Sequence, residues 1–268
     1  MRVALGVEYD GSAFCGWQRQ HGVRTVQAEL EAALARVADR PVSVVCAGRT
    51  DTGVHALYQV VHFDVDVERR PRSWVLGTNT HLPSDVSVVW ARAVPDAFHA
   101  RFSAERRAYH YLISNRQARP GLWRGRVTWE CRPLDVARMA EAARALVGEH
   151  DFSSFRAKGC QAQHPVRTVY RCEVAARDGL IVLSVEANAF LQHMVRNFAG
   201  VLLQIGMGQH PPEWAGEVLA HRQRERGGVT APPDGLYFAA VRYPAMFALP
   251  SPSLVIPVPA AFSARAFD

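Results

Sequence analysis

Lysine is almost missing from this chain: Lys158 stands alone against thirty arginines in 268 residues. The formal charge is still +6, which admits an acidic partner such as nucleic acid. An arginine-rich, alanine-rich composition also suits a GC-rich genome, so charge alone does not select RNA. Cysteine is scarce and odd in number, at five, with no Cys-x-x-Cys pair. That pattern argues against a disulfide framework or a zinc site and for reduced thiols. No run approaches eighteen apolar residues and no signal-peptide pattern opens the sequence, so a soluble, cytoplasmic chain with no membrane partner is expected. A Gly-x-Gly-x-x-Gly or phosphate-loop motif is also missing, so nothing points to a nucleotide cofactor. With 49% apolar and 21% charged residues, there is length and hydrophobicity for a sizeable core in one or two domains.

What is present centres on Ala47-Gly48-Arg49-Thr50-Asp51-Thr52-Gly53-Val54-His55-Ala56. The apolar run 42–46 leads in and the alternating run 59–65 leads out, the pattern of two strands joined by a tight polar loop. Two glycines let the backbone turn at each end while the side chains between sit on a rigid base. Asp51 reads as a nucleophile or base, or as the cap of a turn, which is what many loop Asp-Thr-Gly triplets do. An aspartic protease would need a second carboxylate sharing a proton. The chain has no second Asp-Thr-Gly or Asp-Ser-Gly, and the nearby Arg49 suits a lone ionised carboxylate.

Along the chain, residues 2–9 alternate as a strand, and Gly16-Trp17-Gln18-Arg19-Gln20 follows in a loop. Its Trp17, Gln18 and Arg19 suit either a nucleotide clamp or packing. Apolar spacing predicts a helix from Val26 with Thr25 at its N-cap. After the strand pair around Asp51 come a helix over 71–80, behind the basic patch Arg69-Arg70-Pro71-Arg72, and a strand over 85–93. The order restarts with a strand over 108–114, a helix over 134–147, a hairpin of 169–175 and 180–187 turning at Arg177-Asp178-Gly179, a helix from Asn188 to about 205, and a strand over 236–243. The chain thus reads as an α/β (α+β) fold of two ferredoxin-like β-α-β-β-α-β halves. These would form a mixed, mainly antiparallel sheet with a central cleft. The expected divisions are 1–104, carrying the aspartate loop, 105–244, and a Pro-rich tail, 245–268, packed as an extended arm.

The second half is rich in polar candidates: Arg101, Arg106, Arg107, Tyr109, and a helix with His193 and Arg196 on otherwise apolar faces. A guanidinium on such a helix must find an anion, and Asp51 is the obvious one; a structural ion pair with another carboxylate is the alternative. His193 reads as a packing residue, because no second ligand stands at metal spacing.

Five motifs in register then point to a family. Gly48–Ala56, Tyr9-Asp10-Gly11 with Gly16–Gln20, Phe98-His99-Ala100-Arg101-Phe102-Ser103-Ala104, Asp151-Phe152-Ser153-Ser154-Phe155-Arg156, and Ala187–Asn197 closely resemble the tRNA pseudouridine synthase A family, over residues 2 to 244. The resemblance implies an enzyme that isomerises uridine to pseudouridine at positions 38, 39 and 40 of the tRNA anticodon arm, as a homodimer without cofactor or metal. It makes Asp51 the nucleophile, Tyr109 the active-site tyrosine, Arg196 the arginine paired with the catalytic aspartate, and Arg49 the residue that helps push the target base out. Thr52 stands where alanine is common in bacterial members.

The chemistry suits these residues, since breaking a glycosidic bond and remaking it through carbon needs no redox step. Whether Asp51 attacks the base, attacks the ribose, or acts as a base at the sugar is open at this point. Arg101, Arg106, Arg107, Arg156 and Lys158 are candidate phosphate contacts. A non-catalytic RNA-binding protein on the same scaffold is the alternative reading; a glycosidase would need a second positioned acid, and no motif supplies one.

Overall fold

The computed structural model describes residues 1–177 and 179–251. They fall into two units, Met1–Arg107 with the stretch beginning at Tyr237, and Ala108–Leu236.

In the first unit, Val3, Leu5, Val7 and Tyr9 alternate along β1 (Arg2–Tyr9) and are all buried. Ala4 on the opposite face is buried too, so β1 is covered on both sides and takes a central place. Next come α1 (Val26–Ala38), β2 (Val45–Cys46), β3 (His55–Asp64), α2 (Pro71–His81) and β4 (Val86–Val94). The strands order as β4-β1-β3 with β2 beside β3, the split β-α-β arrangement, and these pairs are antiparallel. Proline at the first position starts α2, where its missing N–H costs nothing. Asp39 closes α1 in the left-handed conformation. Between β1 and β3 the register slips from Val7↔Gln59 to Tyr9↔Ala56. This bulge sets Tyr9 against the exit of the Asp51 loop.

The second unit holds β5 (Arg106–Asn115, from Ala108 onward), β6 (Thr128–Glu130), α3 (Val136–Arg144), β7 (Gly148–Asp151), β8 (Val166–Arg177), β9 (Leu180–Ala187), α4 (Met194–Gly206) and α5 (Trp214–His221). Its strands order as β5-β9-β8-β7, with β6 parallel to β5. Phe152 and Phe155 form one aromatic cluster with Phe198 of α4, and the Asn197 side chain donates to the Phe155 carbonyl (2.7 Å), so two of the sequence motifs meet in the core. β10 (Leu236–Arg242) belongs from Tyr237 to the first unit, where Tyr237 and Phe238 pair in parallel with His55 and Ala56.

Three expectations need correction. The helix expected from Asn188 begins only at Met194, because His193 has φ +63° and a left-handed residue cannot continue a right-handed helix. The helix expected over 134–147 is shorter, since Asp135 caps it by accepting from the Arg138 amide. The incoming strand before Asp51 is only two residues long. The hairpin of β8 and β9 forms, pairing evenly from Arg171↔Glu186 to Arg177↔Leu180 with a register shift between Val169 and Arg171, and Asp178 lies outside the described residues. The Pro-rich tail lies largely outside them too. Of its start, Phe247 is buried and packs edge-on to Phe98, and the Tyr58 hydroxyl donates to the Pro250 carbonyl.

Among the described residues, no helix is long and apolar enough to cross a membrane. Two histidines are core groups. His62 on β3 accepts from the Ala100 amide at Nδ1 (3.1 Å), and His110 on β5 bonds Ser184 through Nδ1 (2.9 Å). Burial, then nearby arginines, pushes each down to about 4. Both are neutral when folded and regain an ordinary value near 6.5 on unfolding. The unfolded chain therefore binds more protons between about pH 6.5 and 4. Their contribution to stability is complete above that window and is lost as pH falls through it, by on the order of 2 kcal/mol each. Urea midpoints measured from pH 7.5 to 5 will fall, and His62→Asn will flatten part of the slope.

Candidate active site

The loop that carries Asp51 is held through its main chain and through the side chains of Thr50 and His55. At its entry the fully buried Gln59 side chain donates to the Gly48 carbonyl (2.6 Å) and accepts from the Gly48 amide (3.4 Å). The Thr50 hydroxyl bonds the Tyr9 hydroxyl at 2.8 Å in a buried pair, and the Trp17 amide donates to the Thr50 carbonyl (3.0 Å). The Val54 amide closes a turn on the Asp51 carbonyl (3.1 Å), and the Gly53 amide donates to the Phe14 carbonyl (3.3 Å). At the exit, His55 Nδ1 accepts from the Gly11 amide (3.0 Å) while its ring stacks on Tyr237 (4.6 Å). Asp51 is half-buried, flanked by exposed Arg49 and Thr52. Residues on both sides are fixed, so the carboxylate is presented on a preorganised turn.

Two glycines make this fit possible. A Cβ on Gly11 would stand 2.0 Å from the Val54 carbonyl oxygen, and one on Gly16, at φ +83°, 2.8 Å from the Thr50 oxygen. Both segments lie against the loop where only hydrogen fits. Trp17 is packed, not displayed. Arg19 pairs with the buried Glu31 of α1, which also accepts from Gln27 and the Val44 amide. Of the two sequence readings, packing is the one seen for Trp17, while Arg19 is exposed.

Cations gather beside the loop. Burial pushes the Cys46 thiol up to about 12, against the opposing pull of Arg49, Arg101 and Arg107. These three guanidinium groups therefore share one neighbourhood. Arg107 Nε donates to the Ala47 carbonyl (3.1 Å) and its Nη2 to the Arg101 carbonyl (2.6 Å), which ties the 99–103 turn to the start of the Asp51 loop. Arg101 is exposed and Arg106 half-buried.

In the second unit, Tyr109 on β5 is buried edge-on to Phe190 (4.9 Å). Arg196 on α4 is half-buried and donates through Nε to the Ala231 carbonyl (2.8 Å). Burial raises the nearby Tyr111 hydroxyl, and Arg196 opposes that rise. Arg156 spends Nη2 on the Cys160 and Ala162 carbonyls, bracing its own loop. Lys158 is exposed, 3.6 Å from Glu225, on an open groove of about 550 Å³ with Gln192, His193, Arg224 and Thr230. Among the described residues no cluster of His, Cys, Asp and Glu is arranged to hold a metal ion.

The residues that sequence reasoning gave no role are the braces: Gln59, Tyr9, Thr50, Gly11 and Gly16. All but Gln59 lie within the motifs, but nothing local marks them as partners of the loop.

The profile of the tRNA pseudouridine synthase family matches residues 6–103 and 142–244, spanning the Asp51 loop and α4. The chain belongs to that family. Curated relatives named tRNA pseudouridine synthase A agree over nearly the whole length. The protein of Nitrosococcus oceani is 60% identical over 93% of this chain and 96% of its own. That of Methylococcus capsulatus is 57% identical over 93% and 92%, and that of Pseudomonas aeruginosa 58% over 93% and 88%.

Proposed function

We propose that the chain isomerises uridine to pseudouridine in tRNA, at positions 38, 39 and 40 of the anticodon arm, with Asp51 as nucleophile. The observation that carries this reading is the family match across residues 6–103, which contain the pinned Asp51 turn. The N1–C1′ bond of the uridine breaks, the uracil turns, and C5 bonds to C1′. The C5 hydrogen leaves as a proton and N1, which kept the electron pair of the broken bond, takes one up, so atoms and electrons balance without an external oxidant or reductant. Tyr109 is the proposed ring against the uracil and Arg196 the proposed partner of the catalytic carboxylate. Arg49, exposed beside Asp51, is the proposed occupant of the space left by the extruded base. Removing a base from its stack costs a few kcal/mol, which a guanidinium stacked in the gap offsets.

Among the proposed phosphate contacts, exposed Arg101 and Lys158 keep their heads toward solvent. Arg106 is retained with them. Arg107 and Arg156 combine charge with a bracing role, because each already donates to two carbonyls. The homodimer and a cytoplasmic location, where tRNA is found, are part of the same proposal.

The test is release of tritium from tRNA carrying [5-³H]uridine, with the product residue mapped along the anticodon arm. Release matched by pseudouridine at 38, 39 or 40 is expected. Binding without release would replace this reading with the non-catalytic RNA-binding one.

A further inference from the structure

Phe102 is 77% exposed, yet it stands on one of the most tightly held turns of the first unit. His99 Nδ1 accepts from the amides of both Arg101 (3.2 Å) and Phe102 (3.1 Å). The His99 amide donates to Ser103 Oγ (3.0 Å), and the Ser103 amide returns to the His99 carbonyl (2.9 Å). The base of the turn is anchored as well. The Ala100 amide donates to His62, and the Ala100 carbonyl accepts from the Tyr243 hydroxyl (2.7 Å). A scattered exposed apolar side chain needs no explanation; an aromatic ring held out by a self-closed turn has already met its ordering cost and is prepared for contact.

The surroundings of the ring indicate what it meets. His99 stacks against Phe102 with centroids 4.3 Å apart and planes 27° from parallel, and the Arg101 guanidinium carbon lies 5.6 Å from the ring centroid. Arg101 shares its neighbourhood with Arg49 and Arg107. Through Arg107 the turn is fastened to Ala47, where the Asp51 loop begins. An exposed aromatic backed by a second ring, among guanidinium groups, has the composition of a stacking platform for single-stranded nucleic acid. An apolar protein partner would gain nothing from the Arg101 guanidinium beside the ring.

We propose that the 99–103 turn is a second RNA contact in which Phe102, backed by His99, stacks an unpaired nucleobase while Arg101 takes the adjoining phosphate. It rests on tRNA being the substrate and adds a subsite to the one at Asp51. Its contribution is to hold the arm in place while the target uridine is out of the helix.

The test uses the full chain and a tRNA transcript with 2-aminopurine at single unpaired positions of the anticodon loop. Phe102→Leu keeps the apolar bulk and removes the π face; Phe102→Trp keeps both. Phe102→Leu is expected to weaken binding about 5- to 100-fold, the range for losing one base–aromatic stack, and to abolish quenching of 2-aminopurine at one position. Phe102→Trp should restore both. Unchanged affinity and quenching in Phe102→Leu would overturn the proposal. So would a shift of the free protein's sedimentation with no change in RNA binding, since the ring would then serve a second copy of the chain. Tritium release by the parent separates the two readings. If the parent releases tritium and Phe102→Leu binds normally, the platform falls and the reaction stands. If the parent releases none and Phe102→Leu still binds weakly, the reaction falls and the platform stands.

Discussion

Asp51→Asn will stop tritium release, by about 10⁴-fold or more, while the variant still binds tRNA. The substitution keeps size and shape and removes only the charge and the second carboxylate oxygen. Gln59, Tyr9, Trp17, Phe14 and Gly11 grip the loop through residues 48, 50, 53 and 55. Those bonds are all kept in the variant, and a urea midpoint close to the parent's will show that the loss reports on chemistry. Asp51→Ala should behave alike. If Asp51→Asn retained even a tenth of the parental rate, the aspartate would be a turn residue and the nucleophile would lie elsewhere.

Gly11→Ala is expected to have the next largest effect. The added methyl would sit 2.0 Å from the Val54 oxygen and 2.5 Å from the Val54 carbonyl carbon, and backbone cannot swing aside as a flexible side chain can. The segment carrying Val54 and His55 would have to retreat by roughly 1 Å, a displacement that costs about 100-fold in rate when it reaches a catalytic group. Overpacking of this kind also costs about 1–3 kcal/mol of stability. Urea denaturation together with tritium release measures both. Gly22→Ala is the comparison: Gly22 has φ +77° but nothing within 4 Å, so it should lose about 1 kcal/mol at most and keep its activity. Equal activity in the two variants would show that the Asp51 turn does not depend on its tight seat against Gly11.

The contrast between these glycines marks the limit of what could be read from sequence. Periodicity located β1, α1, β8, β9 and β10, because a half-buried strand or helix writes its buried face into the residue pattern, and left α2, which buries only Trp74 and Thr78, faintly marked. The start of α4 was invisible, since Ala189, Phe190 and Leu191 continue the apolar spacing and only the left-handed backbone at His193 ends it. β7 was missed because Gly148-Glu149-His150-Asp151 is polar throughout, as a strand at the end of a sheet can be. The aspartate was legible from its motif. Its support was not, because Tyr9 meets Thr50 and Gly11 meets His55 across more than forty residues, and no local pattern records such pairs. β10 looked like the closing strand of the second half, yet from Tyr237 it pairs with β3, a choice made by tertiary packing.

The way the Asp51 loop is gripped also bears on how this sequence can drift. A carbonyl oxygen is the same atom whatever side chain stands above it. Trp17, Phe14 and Gln59 address main-chain atoms, so within the loop the fold makes its demands chiefly at Thr50 and His55, whose side chains it uses, and at Gly53, whose φ is +78°. Thr52 is exposed, so the fold leaves room there for another small side chain. Selection for shape falls equally on distant positions, the hydroxyl of Tyr9, the amide of Gln59 and the bare α-carbons of Gly11 and Gly16.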